Sequence, residues 1–331
     1  MIGSIIWLIV GLVLILVGAN MLVDGSSWIA KRFGMSDLVV GLTVVAFGTS
    51  TPELAISVIS AIDNSTELAI GNAVGSNIAN IMLIIGLTAL VRPIAVTRTI
   101  MTRQMPLMVL SALFLLLYGN SVFLDGAPVN AINRTDGIIL LFMFVLFMIY
   151  TVKTAREPEC APDGTLREPI ESHEKIDKSG RAALKAIMWI LLGLAGLIFG
   201  GDKFVDGASD IARRLGLSEA VIGLTIVAIG TSLPELATSV VAAAKGNAGL
   251  AVGNVIGSNI FNVTLVLGAS AAVRPLQFGS IGNVDLFVLV GASLAFWLMG
   301  KVGGKNVINR WEGAILLVAY SAYLYWLVAS V

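Results

Sequence analysis

Gly48-Thr49-Ser50-Thr51-Pro52-Glu53 returns as Gly230-Thr231-Ser232-Leu233-Pro234-Glu235. The next motif, Gly71-Asn72-Ala73-Val74-Gly75-Ser76-Asn77-Ile78-Ala79-Asn80, returns as Gly253-Asn254-Val255-Ile256-Gly257-Ser258-Asn259-Ile260-Phe261-Asn262. Both belong to one gapless duplication at an offset of 182 residues, Val23 to Pro93 against Val205 to Pro275, with roughly 40 identities in 71 positions. Each copy places a carboxylate inside an apolar run interrupted by Pro and Gly. Such a duplication points to a secondary transporter whose substrate site lies where the copies meet.

The composition puts those runs in a bilayer. Of 331 residues, 57% are hydrophobic and 13% charged, too few charges to wet the surface of a water-soluble protein of this size. A spanning helix needs about 20 mostly apolar residues. Ten such runs lie near residues 3–23, 38–62, 68–91, 105–123, 136–152, 184–205, 218–244, 249–273, 283–300 and 312–330. They are continuous, without the alternation of transmembrane strands, so the fold class is an all-α polytopic membrane protein. The first run lacks the flanks of a signal peptide and is expected to remain a span.

Net charge is zero, but its distribution is uneven. With ten spans, sixteen Lys and Arg fall in loops on one side, four (Arg134, Arg213, Arg214, Arg274) on the other, and Lys203 lies within a run. The richer side is expected to be cytoplasmic in a plasma (inner) membrane, with both termini outside. The expected domains are a five-helix repeat over 1–155, a cytoplasmic linker over 156–182 and a second five-helix repeat over 183–331. The linker mixes Glu, Asp, Lys, Arg and Pro and reads as a tether. It holds both the single cysteine, Cys160, and the single histidine, His173, neither in a chemical constellation. Five spans per half force the second copy to be inverted relative to the first.

A charge at mid-membrane costs a few kcal/mol or more. Glu53 and Glu235 recur at equivalent positions with no Lys or Arg in their runs, so they are the leading functional candidates. Pro52 and Pro234 are expected to break the second and seventh helices, and the Gly-rich motifs lead to the same expectation for the third and eighth. Broken backbone frees carbonyls. Together with the Thr and Ser hydroxyls and a carboxylate they form hard oxygen donors suited to Na⁺ or Ca²⁺. Ser76 and Asn80, like Ser258 and Asn262, are four apart and share a helix face. The glycines at 71, 75, 253 and 257 read first as helix packing. Ser57 and Thr238 read as bonded to their own backbone, and Asp24 and Asp206 as caps near helix ends. Asn64 and Asn133 begin Asn-X-Ser/Thr tripeptides in expected outer loops.

GTS-x-PE and GN-x-x-GSNI-x-N, each present twice, closely resemble the two alpha-repeats of the sodium/calcium exchanger family, within the cation/calcium antiporter superfamily. The resemblance implies that Glu53 and Glu235 bind Ca²⁺. It further implies that Thr49 and Thr231, with the carbonyls of Ala46 and Ala228, complete Na⁺ sites assisted by Ser50, Ser232, Ser76 and Ser258, while Asn80 and Asn262 line the middle. It implies exchange of three Na⁺ for one Ca²⁺, with the first and sixth helices sliding. Several archaeal and potassium-dependent members carry Asp at the position of Asn262, whereas both ridges here end in Asn, leaving two acids. A calcium/proton antiporter of the same superfamily is the alternative, although those relatives resemble GNA-x-E where this chain has GTS-x-PE. A passive channel fits an internally duplicated chain poorly. No phosphate-binding GxxxxGK[ST] loop or nucleophile–base pair suggests an enzyme. The expected partners are Na⁺, Ca²⁺ and the bilayer, with no resident cofactor, no nucleic acid and no evident protein partner.

Overall fold

The computed structural model describes residues 2–155, 179–215, 228–301 and 306–329. The described residues are mostly helical. Helix α1 covers Ile2–Phe33. A span broken by 46° follows, α2 over Asp37–Thr49 and α3 over Thr51–Ile62. Next come α4 (Thr66–Val91), α5 (Ile100–Tyr118) and α6 (Arg134–Lys153). The second half comprises α7 (Gly180–Arg214), a short α8 (Ala228–Thr231), α9 (Leu233–Ala244), α10 (Ala248–Val273), α11 (Asn283–Lys301) and α12 (Arg310–Ala329). Among the described residues, eight helices are long and apolar enough to cross a bilayer, nine with the bent pair. The protein is a multi-pass membrane protein. Linker residues 156–178, with Cys160 and His173, and residues 218–227 of the seventh expected span lie outside the described residues, and α7, the sixth expected span, begins at Gly180 behind its Ser179 cap, within the expected linker.

Burial grades the helices from the centre outward. In α10, 94% of the most apolar window is buried and in α4 72%, against 22% in α6, α7 and α12. Helices α4 and α10 are less apolar than the exposed α6 and α7, with mean hydropathy 1.9 and 1.6 against 2.2; in lipid, polar side chains turn to the bundle interior, so α4 and α10 form the centre. The outer helices turn Leu, Ile, Val and Phe side chains outward, as a lipid-facing surface requires. Two short antiparallel ribbons tie the loops together. Strand β1 (Ile94–Ala95) pairs with β4 (Val307–Ile308), and β2 (Ala131–Ile132) pairs with β3 (Leu276–Gln277). Phe261 of α10 makes T-shaped contacts with Phe47, Phe144 and Phe147, which seats α2 and α6 against the centre.

Helices α1 and α7 lie antiparallel along a seam of small residues seven apart: Ser4, Gly11, Gly18 and Gly25 on one, Ala186, Gly193, Gly200 and Gly207 on the other. A Cβ at Gly11 would lie 2.6 Å from the Gly200 carbonyl, one at Gly18 2.7 Å from that of Gly193, and one at Gly207 2.6 Å from that of Ser4. The Ser4 hydroxyl also donates to the Asp210 carboxylate. Because Gly11, Gly18 and Gly25 correspond to Gly193, Gly200 and Gly207 under the 182-residue offset, the contacts Gly11–Gly200 and Gly18–Gly193 are counterparts of one another. The same close approach joins Gly41 to α10 and Gly253 to α2, where added Cβ atoms would stand 2.6 Å and 2.5 Å from the Leu250 and Leu38 carbonyls. Without a hydrophobic drive between helices in lipid, such backbone contact supplies the packing energy.

Several expectations are corrected. The third and eighth helices are not broken: α4 and α10 run through their Gly-rich motifs and take up one π-helical turn each, Asn80–Ile84 and Asn262–Leu267. Glycine inside a buried helix lacks the steric clash by which proline interrupts one. Packing holds for Gly253 and Gly257 but not for Gly75, which meets nothing within 4 Å, and Gly71 meets only the Ile281 methyl at 3.4 Å. Asp24 and Asp206 cap nothing, since α1 and α7 continue well past them. Asn64 adopts left-handed backbone (φ 64°) and accepts from Arg274 at 2.5 Å, while Asn133 forms a capping box at the start of α6.

The α1–α7 seam makes a direct prediction. Gly18→Ala should destabilise the protein by about 1–3 kcal/mol, the range for overpacking a filled site. Gly3→Ala, at a position with nothing within 4 Å, should be neutral. Thermal unfolding in one detergent checks both.

Candidate functional site

Proline sets the local geometry. Pro52 and Pro234 occupy the first turn of α3 and α9, where their missing N–H is harmless but continuation from the preceding helix is not. The chain therefore pivots at Ser50 (φ −84°, ψ 7°) and at Ser232 (φ −91°, ψ 5°), the same conformation in both copies. Each pivot delivers a glutamate into the first turn of the new helix. Glu53 and Glu235 are each 1% exposed, and each lies opposite α4 or α10 in its own half.

Helix α3 packs against the π-helical turn of α10, and α9 against that of α4, so the halves cross at the level of the motifs. The Ser50 hydroxyl donates to Glu235 Oε1 across this crossing at 3.3 Å. Glu53 lies within electrostatic reach of Glu235. Neither Oε2 has a partner.

Asparagines organise the surroundings in two tiers. In each half an amide ties the glutamate's helix to the Gly-rich helix. Asn72 Nδ2 donates to the Glu53 carbonyl at 3.3 Å and to Ser57 Oγ at 3.0 Å. Asn254 Nδ2 repeats this with the Glu235 carbonyl at 3.3 Å and Ser239 Oγ at 3.0 Å. Ser57 therefore accepts from a neighbouring helix, correcting the expectation that it bonds its own backbone, and the buried Thr238 hydroxyl is unpartnered. The second tier joins α4 to α10. Asn80 Nδ2 donates to Asn259 Oδ1 and Asn262 Nδ2 to Asn77 Oδ1, both at 3.0 Å. Asn77 and Asn259 also donate to each other's backbone carbonyls at 3.2 Å and 3.4 Å.

This ring consumes amide donors and leaves oxygens over. Glu53 Oε2, Glu235 Oε2, Asn80 Oδ1, Asn262 Oδ1, Ser232 Oγ and Ser258 Oγ are all buried without a hydrogen-bond partner. Buried polar atoms are normally satisfied. All six are hard oxygens, two of them carboxylate, the donor type that suits alkali or alkaline-earth cations.

The remaining sequence candidates occupy the same region. Thr49 is fully buried, and its hydroxyl donates to Asn254 Oδ1 at 3.1 Å and to the Ala46 carbonyl at 3.4 Å. That carbonyl also accepts from the Ser50 N–H at 2.9 Å. Ser50, Ser76, Ser232 and Ser258 are buried. Thr231 is half-buried at the end of α8, which Ala228 opens. Asn72, Asn254, Asn77 and Asn259 were quoted in the duplicated motif but not expected at the site. Their repetition was the available signal. Asn77 lies off the Ser76–Asn80 face by helical period, and only the partner half reveals what it bonds.

The sodium/calcium exchanger protein family model matches residues 3–153 and 185–329. The inner membrane protein YrbG of Escherichia coli is 38% identical over 97% of this chain and 96% of its own. The sodium/calcium exchanger MaX1 of Methanosarcina acetivorans is 35% identical over 96% of each. A solved structure of the sodium-calcium exchanger NCX_Mj, soaked with zero Na⁺ and Ca²⁺, superposes with a TM-score of 0.81 at 33% identity, covering 98% of this chain and 99% of the other. With one family model spanning both halves and full-length relatives above 30% identity, the chain belongs to the sodium/calcium exchanger family of membrane transporters.

Proposed function

We propose that the protein is an electrogenic antiporter that exchanges Na⁺ for Ca²⁺ by alternating access, through a site formed where two inverted five-helix repeats meet. The observation that carries this reading is the buried pair Glu53 and Glu235, each with an unpartnered oxygen, inside a shell of unpartnered amide and hydroxyl oxygens. Two carboxylates in a poorly solvated pocket repel each other, and a single divalent cation cancels both charges. Two Na⁺ do the same. Because each loading neutralises the same pair, Ca²⁺ and Na⁺ exclude one another, and that exclusion is the physical basis of antiport.

Ca²⁺ takes about 6 to 8 oxygens. The two glutamates, the carbonyls of Thr49 and Thr231, and Asn80 and Asn262 are the proposed set, completed by water. Na⁺ would use Thr49, Thr231, the carbonyls of Ala46 and Ala228, and Ser50, Ser232, Ser76 and Ser258. A third Na⁺ needs only neutral oxygens, so one net charge crosses per cycle. The uneven distribution of Lys and Arg supports an orientation with both termini outside and the 156–182 tether in the cytoplasm.

Glu53→Gln and Glu235→Gln should each abolish Na⁺-driven Ca²⁺ uptake by proteoliposomes while the protein stays monodisperse with an unchanged melting temperature; near-normal flux in either variant would refute the site. Na⁺, H⁺ and K⁺ gradients imposed one at a time should leave only the Na⁺ gradient able to drive Ca²⁺. A pH gradient acting alone would favour the calcium/proton alternative. With Na⁺-loaded vesicles, holding the interior positive should speed Ca²⁺ uptake, since one unit charge experiences about 2.3 kcal/mol per 100 mV. Asn77→Ala and Asn259→Ala remove the acceptors that orient Asn262 and Asn80. Each should weaken apparent ion affinity by about 10- to 100-fold, as loss of an orienting partner does.

A further inference from the structure

The duplication allows the two ends of the molecule to be compared residue by residue, and they differ. Under the 182-residue offset Lys245 corresponds to Asp63, Asn247 to Ser65, Asp24 to Asp206 and Ser27 to Ser209. At one end Lys245, which closes α9, donates to Asp24 Oδ1 of α1 at 2.6 Å and to the Asn20 carbonyl at 3.5 Å. Two residues on, Asn247 Nδ2 donates to Ser27 Oγ at 3.1 Å. Along this end α1 packs closely against α9.

At the other end each element of this contact is replaced. Asp63 is an exposed acid, so it would face Asp206 with like charge. Asp206 bonds instead to Lys203 of its own helix at 2.9 Å, and the equivalent of Lys203 is Met21. Ser65 is exposed. The Ser209 hydroxyl, counterpart of the one that accepts from Asn247, is buried with no partner. Helix α7 makes no comparable contact with α3. Ile59 of α3 is accordingly 56% exposed, whereas its counterpart Val241 packs into a buried cluster with α1.

From this broken symmetry we infer that Lys245 and Asp24, with Asn247 and Ser27, form a one-sided latch that holds α1 on α9 and sets which face of the exchanger rests closed. The inference rests on the alternating-access reading, in which α1 and α7 shift against the core. These are positioning residues and touch no ion. Apparent affinity for a ligand falls by the fraction of protein that is competent to bind it. A latch at the Lys245 end therefore favours loading at the opposite face and penalises loading at its own. Lys245 and Asp24 have side chains 34% and 45% exposed. An exposed pair of this kind shifts an equilibrium by about two- to fivefold, enough to make the two faces unequal without locking the carrier.

Hydrogen exchange read by mass spectrometry, on protein in nanodiscs without Na⁺ or Ca²⁺, tests the latch. Lys245→Gln, Asp24→Asn and Ser27→Ala should each raise exchange in peptides covering 20–33 and 241–250, and the charge swap Asp24→Lys with Lys245→Asp should restore protection. Asp63→Lys, which places a lysine opposite Asp206, should protect 59–65 and 206–214 and loosen the Lys245 end. In vesicles of one orientation, Lys245→Gln should change the ratio of half-saturating Ca²⁺ at the two faces by about two- to fivefold. Unchanged exchange at both ends in Lys245→Gln and Ser27→Ala, or a swap that fails to restore protection while remaining folded, overturns the latch. Absence of Na⁺-driven flux in the unaltered protein would instead overturn the antiport reading, and the ion-free exchange measurement would still decide the latch.

Discussion

Two carboxylates, contributed by segments 182 residues apart and shut away from solvent, are the constraint to which the surrounding structure answers. An ionised group in a poorly solvated interior is tolerated only when something neutralises it. The hydrogen bonds around Glu53 and Glu235 leave one oxygen on each unused. On the proposed reading, that leaves an electrostatic demand for a mobile cation to meet. A lysine in the same place would stabilise the fold and abolish the demand.

Other features follow from keeping those oxygens free. The proline breaks turn each glutamate inward at the start of a helix. The asparagine ring between α4 and α10 fixes two central helices without using a charge, and it orients Asn80 and Asn262 by consuming their amide protons. Tying the helices with Asp–Arg pairs would bring fixed charges into the pocket and change its balance. At the periphery the requirement is opposite. Helices α1 and α7 meet through backbone along small residues, with Leu14, Leu22 and Ile190 seated against the facing glycines, so the contact is close and carries no fixed charge at those positions.

The duplication, the membrane class, the glutamates and the proline breaks were legible in the sequence because each depends on local chemistry repeated at a fixed offset. Helix ends were less so. Helix α1 continues beyond the apolar run to Phe33, through Asp24, Ser26, Ser27 and Lys31, so hydropathy alone placed its end too early. The integrity of α4 and α10 was missed because glycine-rich sequence marks both breaks and close packing, and only the neighbouring helix decides between them. The roles of Asn72, Asn77, Asn254 and Asn259 were hidden for a related reason. Asn77 and Asn259 find their partners in the opposite half, and pairing of that kind leaves no periodic trace.

Asparagine at both central ridge positions also bears on where charge moves in the proposed cycle. With two acids the pocket has a formal charge of −2, so a Ca²⁺-loaded carrier is neutral at its centre. Loading with three Na⁺ leaves it at +1. A centre that is neutral in one branch and positive in the other couples to the membrane potential mainly during Na⁺ translocation. An aspartate at Asn262 would make the pocket −3, neutral with three Na⁺ and −1 with Ca²⁺, and would transfer the voltage-sensitive step to the Ca²⁺ branch. The net charge per cycle is the same in both cases, and the carboxylate count decides which half of the cycle carries it.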